Sequence, residues 1–354
     1  MSVNILVIGD NHIKCSNILE FDTFVERIQI IARERNPDLI VLLGDILDTH
    51  EKLNTIELNK ACDFIDKMRK IAKTIVLVGN HDMVNCSQFL TTNHWMNALK
   101  EWKNVLIVDT VITHTVNTQT FIFVPFVPNG RFIEALNTVN YDWVNTVSCI
   151  FAHQEFYGCK MGAINSIDGD KWPLDYPHII SGHIHSRQFP QDNIYYTGSS
   201  MQQAFGESDK NIIAYVKFND KKYEREEIDL LLPRKKIVYV DMEGIDKYIL
   251  PESEDKIKVS VSGDYEDFKA LKKTSKYKDL VKKGVKVVFK PKKKDIENNT
   301  KQISENIKIS SIDNTDFKTI LTNIIYEQKN INLLKAFEFV VNNKNISSED
   351  MILI

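Results

Sequence analysis

Up to residue 218 the chain alternates short apolar, β-branched runs with amphipathic stretches. Residues 3–8, 39–43 and 75–78 are strand-sized apolar runs, and between them 21–35 and 56–71 repeat their apolar positions at helical spacing. This is the punctuation of βαβαβ units. In the first helical stretch Phe21, Phe24, Val25, Ile28 and Ile31 fall on one stripe, which predicts a face packed on a core rather than a binding surface. Further runs at 105–108, 121–124, 147–151, 178–180 and 212–218 supply strands. Several follow one another without a long helix between them, so part of the sheet system is expected to be antiparallel or mixed.

From Pro233 the pattern changes. Residues 236–241 and 256–262 alternate as strands, 267–283 reads as one helix and 284–290 as a third strand, together a small α/β module. Residues 295–310 are polar and Asn-rich with no period, as in a linker. Residues 315–341 then carry Phe317, Ile320, Leu321, Ile324, Ile325, Ile331, Leu334, Phe337, Phe339 and Val340, predicting two short amphipathic helices broken at Lys329-Asn330. That much apolar surface needs the body or a partner to cover it. The expected division is therefore 1–232, 233–294, 295–311 and 312–354.

Charge sharpens this division. The formal net charge is −3, yet residues 234–294 hold 18 Lys/Arg against 10 Asp/Glu, leaving 27 against 38 elsewhere. A basic module is attached to an acidic body, and its lysines suit either phosphates or a solvated face. No apolar run approaches the roughly 20 residues that cross a bilayer, and residues 1–8 run into a strand pattern without a basic, apolar leader, so a cytoplasmic location is expected. Cys15, Cys62, Cys86, Cys149 and Cys159 form an odd set without a CxxC pair, which predicts reduced, mostly packing thiols rather than disulfides or a zinc knuckle. The abundance of Lys, Asn and Ile fits an A/T-rich genome such as a phage, virus or some bacteria.

The chemistry sits immediately after strand patterns, where loops at strand C-termini gather ligands in α/β sheets. Asp10-x-His12 follows the first run and offers one hard oxygen and one borderline nitrogen, a mixture suited to Mn, Fe or Zn. Gly44-Asp45 follows the second, and one carboxylate can bridge two ions. Gly79-Asn80-His81-Asp82 follows the third, with an amide oxygen as neutral ligand beside an imidazole free for proton work. His153 follows 147–151, and Gly182-His183-x-His185 follows 178–180; an extended HxH turns both rings the same way. Taken singly, His153 is an ordinary core or surface histidine, Asp45 a helix N-cap, and the glycines plain turn residues. Five such motifs at five strand ends point instead to a two-ion site.

This ordered series resembles the calcineurin-like metallophosphoesterase superfamily over residues 3–218. Within it, Gly44-Asp45-Ile46-Leu47-Asp48, then Tyr196-Thr197-Gly198-Ser199, Phe205-Gly206-Glu207 and Lys210, are similar to the SbcD and meiotic recombination eleven nucleases, on the bacterial and phage side. Archaeal and eukaryotic members carry His where Asp48 stands, which leaves that residue's role open. The resemblance implies an α/β, four-layer β-sandwich flanked by helices, with a small capping domain and a terminal helical pair. It implies two divalent ions, manganese in the family, one held by Asp10, His12, Asp45 and His185 and the other by Asp45, Asn80, His153 and His183. His81 would protonate the leaving oxygen, with Asp82 orienting its ring.

By the same likeness Lys272, Lys273, Lys282, Lys283, Lys292 and Lys293 would contact DNA phosphates. Phe317, Leu321, Ile324, Leu334 and Phe337 would dock on the coiled coil of an SMC-like ATPase of the SbcC type, in a heterotetramer built on a homodimer. The chain has no GxxxxGK[ST] loop of its own. The expected activity is a manganese-dependent DNA exonuclease and endonuclease of recombination, repair or replication. Competing readings are a general phosphodiesterase or protein phosphatase on the same scaffold, and an inactive scaffold tethering an ATPase to DNA.

Overall fold

The computed structural model describes residues 2–291, apart from 51, 209, 220 and 221, and beyond 291 only Ile325 and Phe337, both helical. The chain divides into two compact units, Met1–Pro291 and Lys292–Ile354. Lys292, Lys293, Phe317, Leu321, Ile324 and Leu334 lie outside the described residues. Among the described residues no helix is long and apolar enough to cross a membrane.

Strands β1 (Val3–Ile8), β2 (Leu39–Leu42), β3 (Lys73–Leu77) and β4 (Val105–Val108) run parallel. Helices α1 (Ile18–Arg35) and α2 (Thr55–Arg69) connect the first three. Each helix ends where its chemistry says it should: Asn36 takes the left-handed conformation after α1, and the Asn54 side chain caps α2 by accepting from the Ile56 N–H. The chain then builds a second sheet from β5 (Ile112–Val116), β6 (Gln119–Val124), β7 (Cys149–His153), β10 (Ile179–Gly182), β11 (Gln188–Gln191) and β12 (Ile194–Tyr196). A small hairpin, β8 (Lys160–Met161) with β9 (Ile164–Asn165), stands between β7 and β10. Strands β13 (Ile212–Asn219) and β14 (Lys222–Asp229) return to the first sheet, antiparallel beside β1. Both sheets thus have parallel centres; the first is antiparallel only on its β13–β14 side, and the second at both edges, β5 and β11, the mixture that strands without intervening helices require.

The two sheets pack face to face. Val3, Ile5, Val7, Val41 and Leu77 of the first meet Phe121, Phe123, Phe151 and Tyr195 of the second. On its other face the first sheet buries Leu6, Ile40 and Val76 under Phe21, Phe24 and Phe64 of α1 and α2, as the helical stripe predicted. The second buries Ile122, Ile150 and Ile179 under Phe132 of α3 (Phe132–Leu136), Trp143 of α4 (Trp143–Thr146) and Trp172. Central strands covered on both sides are apolar at successive positions, which is why 3–8 and 39–42 read as continuous runs.

A third sheet, β15 (Lys235–Asp241), β16 (Lys256–Gly263) and β17 (Lys286–Pro291), is parallel and has its own core. The single helix expected over 267–283 is two, α6 (Tyr265–Leu271) and α7 (Ser275–Lys282), following the short α5 (Gly244–Lys247) and separated at Lys272–Thr274. Thr274 breaks it: in extended conformation its hydroxyl accepts the Tyr277 N–H and starts a new helix. Phe268, Leu271 and Leu280 of these helices pack on Val259 and Val261. Strand alternation therefore turns Lys258 to the opposite face, where its Nζ lies 5.9 Å from the centre of the Phe205 ring. Lys235 also reaches the body, its N–H donating to the Gln202 side chain at 2.7 Å.

Candidate active site

Five parallel strands deliver the candidate residues. Asp10 and His12 follow β1, Asp45 follows β2, Asn80 and His81 follow β3, His153 ends β7, and His183 and His185 follow β10. The register pairs Gly182 with His153, so those two loops leave side by side. The Asn11 and His12 N–H groups donate to the Asp45 carbonyl at 3.1 and 3.0 Å, stitching the first loop to the second. His12, Asp45 and His183 all take positive φ, at 45°, 48° and 78°. Left-handed backbone at three non-glycine residues is strain held by the surrounding bonds, and all three are among the converging residues.

All eight residues converge. The ligand atoms of Asp10, His12 and His185, of His12, Asp45 and His81, and of Asp45, His153 and His183 form three groups, within each of which the atoms lie no more than 4.8 Å apart. His12 Nε2 and His185 Nε2 face each other at 3.0 Å, and His12 Nε2 is 3.5 Å from Asp45 Oδ2. On the other side Asp45 Oδ2 is 3.3 Å from His153 Nε2. Asn80 Oδ1 lies 3.1 Å from His153 Nε2 and 2.8 Å from His183 Nδ1. Asp10, His12, Asp45 and His153 are each no more than 2 % exposed.

Two glycines make this approach possible. A Cβ on Gly79 would stand 2.2 Å from Asp45 Oδ1, and one on Gly182 would stand 2.5 Å from Asp10 Oδ1. Neither is merely a turn residue.

The arrangement fits divalent cations. Asp10 Oδ2 is buried with no hydrogen-bond partner, an expensive state for a carboxylate unless a cation meets it. His153 Nδ1–H donates to the Leu43 carbonyl at 2.7 Å, which fixes the tautomer and points the Nε2 lone pair at Asp45 and Asn80. Burial opposes charge on His153, but the Asp45 and Asp10 carboxylates outweigh it and raise the ring to about 9, a measure of how strongly the cluster favours positive charge. Burial and the neighbouring His153 hold His183 down to about 3, so it is a neutral ring with a lone pair to offer.

Around these ligands the side chains show their supporting parts. His81 Nδ1–H donates to the Asp48 carbonyl at 2.8 Å, leaving Nε2 free, and the His81 N–H donates to Asp45 Oδ1 at 2.8 Å. The expectation that Asp82 orients the His81 ring is therefore corrected. The Asp82 carboxylate accepts from the N–H groups of Ile46, Leu47 and Gly79 and from Trp95 Nε1, bracing the second and third loops from behind. Burial and the nearby Asp45 raise Asp82 to about 6. Asp48, whose role the sequence left open, places Oδ1 3.3 Å from His12 Nδ1, a charge beside the outer nitrogen of that ring without a hydrogen bond to it, and 3.1 Å from Lys14 Nζ. Glu207 Oε1 stands 3.7 Å from His185 Nδ1 in the same relation.

His50, an isolated histidine in the sequence, stacks on His81 with ring centres 4.5 Å apart and planes 22° apart. Phe126 lies 5.5 Å from the His183 ring. Neither had a motif to betray it. The lysines expected to meet phosphate stand elsewhere: Lys272, Lys282 and Lys283 are on or just after α6 and α7 and Lys273 between them, on the helical layer and not on the sheet face that meets Phe205. All five cysteines are free; Cys62, Cys149 and Cys159 are packed as expected, whereas Cys15 and Cys86 are exposed.

The family model described as Calcineurin-like phosphoesterase matches residues 3–187, a span that holds all eight converging residues. The chain is a calcineurin-like phosphoesterase. It is 48 % identical over 295 residues to the "Putative phosphoesterase" 078R of Invertebrate iridescent virus 3, covering 82 % of this chain and 85 % of that one. It is equally 48 % identical over 276 residues to 244L of Invertebrate iridescent virus 6, of the same description, covering 76 % and 97 %. Among solved structures it matches GAP50, the anchor in the inner membrane complex of Plasmodium, at TM-score 0.39 and 12 % identity over 65 % of this chain and 85 % of that one, too distant to inform the site. The phosphoesterase thus carries a hydrolase site with candidate divalent-metal clusters formed by its own strand-end residues.

Proposed function

We propose that this phosphoesterase is a manganese-dependent DNA nuclease of the SbcD type, hydrolysing phosphodiester bonds in recombination, repair or replication. The observation that carries the reading is the run of three linked clusters, Asp10-His12-His185, His12-Asp45-His81 and Asp45-His153-His183, joined through His12 and Asp45, with His81 half-buried. Asp10, His12, Asp45 and His185 would hold one ion, and Asp45, Asn80, His153 and His183 the other. The mixed carboxylate, amide and imidazole donors suit manganese. Bound there, such ions acidify a water and neutralise phosphate charge.

The chain's own groups do the rest. Leu43 holds the His153 ring in the orientation that aims a lone pair inward, and the Asp48 carboxylate stands 3.3 Å from the outer nitrogen of His12. Burial holds His81 below the ordinary imidazole value, so it begins neutral, with Nε2 unengaged by the Asp48 carbonyl. A phosphate dianion or phosphodiester beside it favours the protonated ring, which then donates to the leaving oxygen.

DNA as substrate is supported by the basic module whose sheet meets the body at Gln202 and Phe205. Lys258 and Lys286, paired in register on the face away from the helices, would add phosphate contacts to those expected of Lys272, Lys273, Lys282 and Lys283. An SMC-like ATPase would bind residues 312–354, and a host-cell cytoplasmic setting accords with the viral relatives. Capture of that ATPase by the full chain and equally by a chain ending at Asp313 would remove the partner assignment.

The decisive assay offers the manganese-loaded protein duplex DNA, single-stranded DNA and a phosphotyrosine peptide. DNA is expected to be cut and the peptide spared; the reverse overturns the reading in favour of a phosphatase. His81→Gln is expected to lower turnover by about 10²- to 10⁴-fold with metal content unchanged. Parental turnover in that variant would strip His81 of its proton role.

A further inference from the structure

Residues 183–186 line a cleft of about 900 Å³ together with 205–208 and with 160–163 of the β8–β9 hairpin. The chemistry above makes no use of the hairpin, yet it is built as a braced finger. At its root the Ser166 N–H donates to the Cys159 carbonyl at 2.8 Å, the Gly158 N–H to the Ser166 carbonyl at 2.9 Å, and the Ser166 hydroxyl to Glu155 at 2.5 Å. The Lys160 N–H donates to Gln188 Oε1 at 2.7 Å, and the Gln188 amide returns a bond to the Lys160 carbonyl at 2.9 Å. At its tip Met161 and Ile164 pair across the two strands and are 36 % and 64 % exposed. A Cβ on Gly162 would meet nothing within 4 Å.

Single exposed apolar side chains are ordinary on any surface. Here Met161 lines the cleft that holds His183 and His185, and Ile164 pairs with it across the hairpin, with Ile167, 76 % exposed, further along the chain. His183 and His185 face the cleft, while Asp10, His12, Asp45 and His153 beneath them are buried, so a phosphodiester approaches this set through the cleft. The outer face of a terminal base pair is apolar and matches Met161 and Ile164, while the strand that parts from it carries its phosphates on toward the imidazoles.

We propose that the β8–β9 hairpin is a strand-separating wedge, in which Met161 and Ile164 pack against the last base pair of a duplex end and open it, so that one strand alone passes into the cleft. The assignment rests on the nuclease reading and adds how that site selects its substrate. Apolar side chains that enter a base stack are a general means of unstacking DNA, and the step is least costly at an end, where the last pair has one stacked neighbour.

The test compares the parent with a Met161→Ser, Ile164→Ser variant, both full length and manganese-loaded. The substrates are a blunt duplex, the same duplex with mismatched last pairs, and the single strand. Cleavage of the blunt duplex is expected to fall by about tenfold or more, as loss of base stacking implies. Mismatched ends should restore it, with the single strand changing by no more than about twofold, since both side chains are surface residues. A fluorescent purine analogue in the last pair should brighten on binding the parent and not the variant.

Equal cutting of all three substrates by parent and variant overturns the wedge and leaves the nuclease standing. Equal loss on all three also overturns it, since the finger would then serve general binding. Self-association of the parent that disappears in the variant would overturn it too, making the hairpin an interface between copies. If the parent cuts no DNA, the nuclease reading itself fails.

Discussion

Replacing Asp45 by Asn is expected to lower phosphodiester cleavage by at least about 10³-fold and to reduce metal content from two ions toward none. Asp45 is the residue common to both proposed ligand sets. Its Oδ2 lies 3.3 Å from His153 Nε2 and 3.5 Å from His12 Nε2, while Oδ1 accepts the His81 N–H at 2.8 Å. An amide keeps the size but removes the charge that holds two cations beside each other, and it places an NH₂ where one of these oxygens stands. The fold should survive, because the bonds from Asn11 and His12 end on the Asp45 carbonyl rather than its side chain. Elemental analysis of the purified variant and turnover on any cleavable phosphodiester are the measurements. Retention of two ions with activity within about tenfold of the parent would refute the bridging role.

A second large effect is expected at a residue that touches no substrate. In Gly182→Ala the new Cβ would lie 2.5 Å from Asp10 Oδ1, 3.0 Å from His153 Nδ1 and 3.0 Å from Leu43 Cβ. Asp10, His153 and Leu43 are all completely buried, so none can swing aside into solvent. Overpacking of this kind costs about 1–3 kcal/mol, and here the side chains that must yield are two ligands, so metal affinity should fall along with stability. Gly162→Ala is the control: its added methyl meets nothing within 4 Å, and only the positive φ of 66° opposes it, at about 1 kcal/mol. Thermal unfolding and metal titration of the two variants should separate them clearly. A Gly182→Ala protein that binds metal as tightly as the parent would show that the loops relax more than their burial allows.

Much of this site was legible in the sequence because it is built from local units. A run of β-branched residues ends, a glycine permits the turn, and the next polar side chains lie at a strand terminus; parallel strands carry all such termini to one edge. The same locality made the strands of both sheet centres visible as continuous apolar runs. Strands at the edges were less legible. Lys222–Asp229 is almost wholly polar, because an edge strand shows much of its side-chain surface to water and needs little apolar alternation. The helix read over 267–283 failed for a local reason, since Thr274 stops one helix and caps the next without interrupting the apolar spacing of Phe268, Leu271 and Leu280.

What the chain determined by itself was the identity of the candidate ligands, the order of their loops and the family to which the chain belongs. Which groups orient those ligands was decided only in three dimensions. Leu43 and His153 are 110 positions apart, and the bond between them exists because two sheets stack. Asp82 follows His81 directly, yet the short helical turn at Asn80–Asp82 sends its carboxylate to the backbone of Ile46 and Leu47 and leaves His81 to the carbonyl of Asp48. Neighbours in sequence suggested one pairing and the turn imposed another. A ligand is recognisable from its own chemistry, but an orienting partner is defined by a distance and a direction, and those belong to the packed fold.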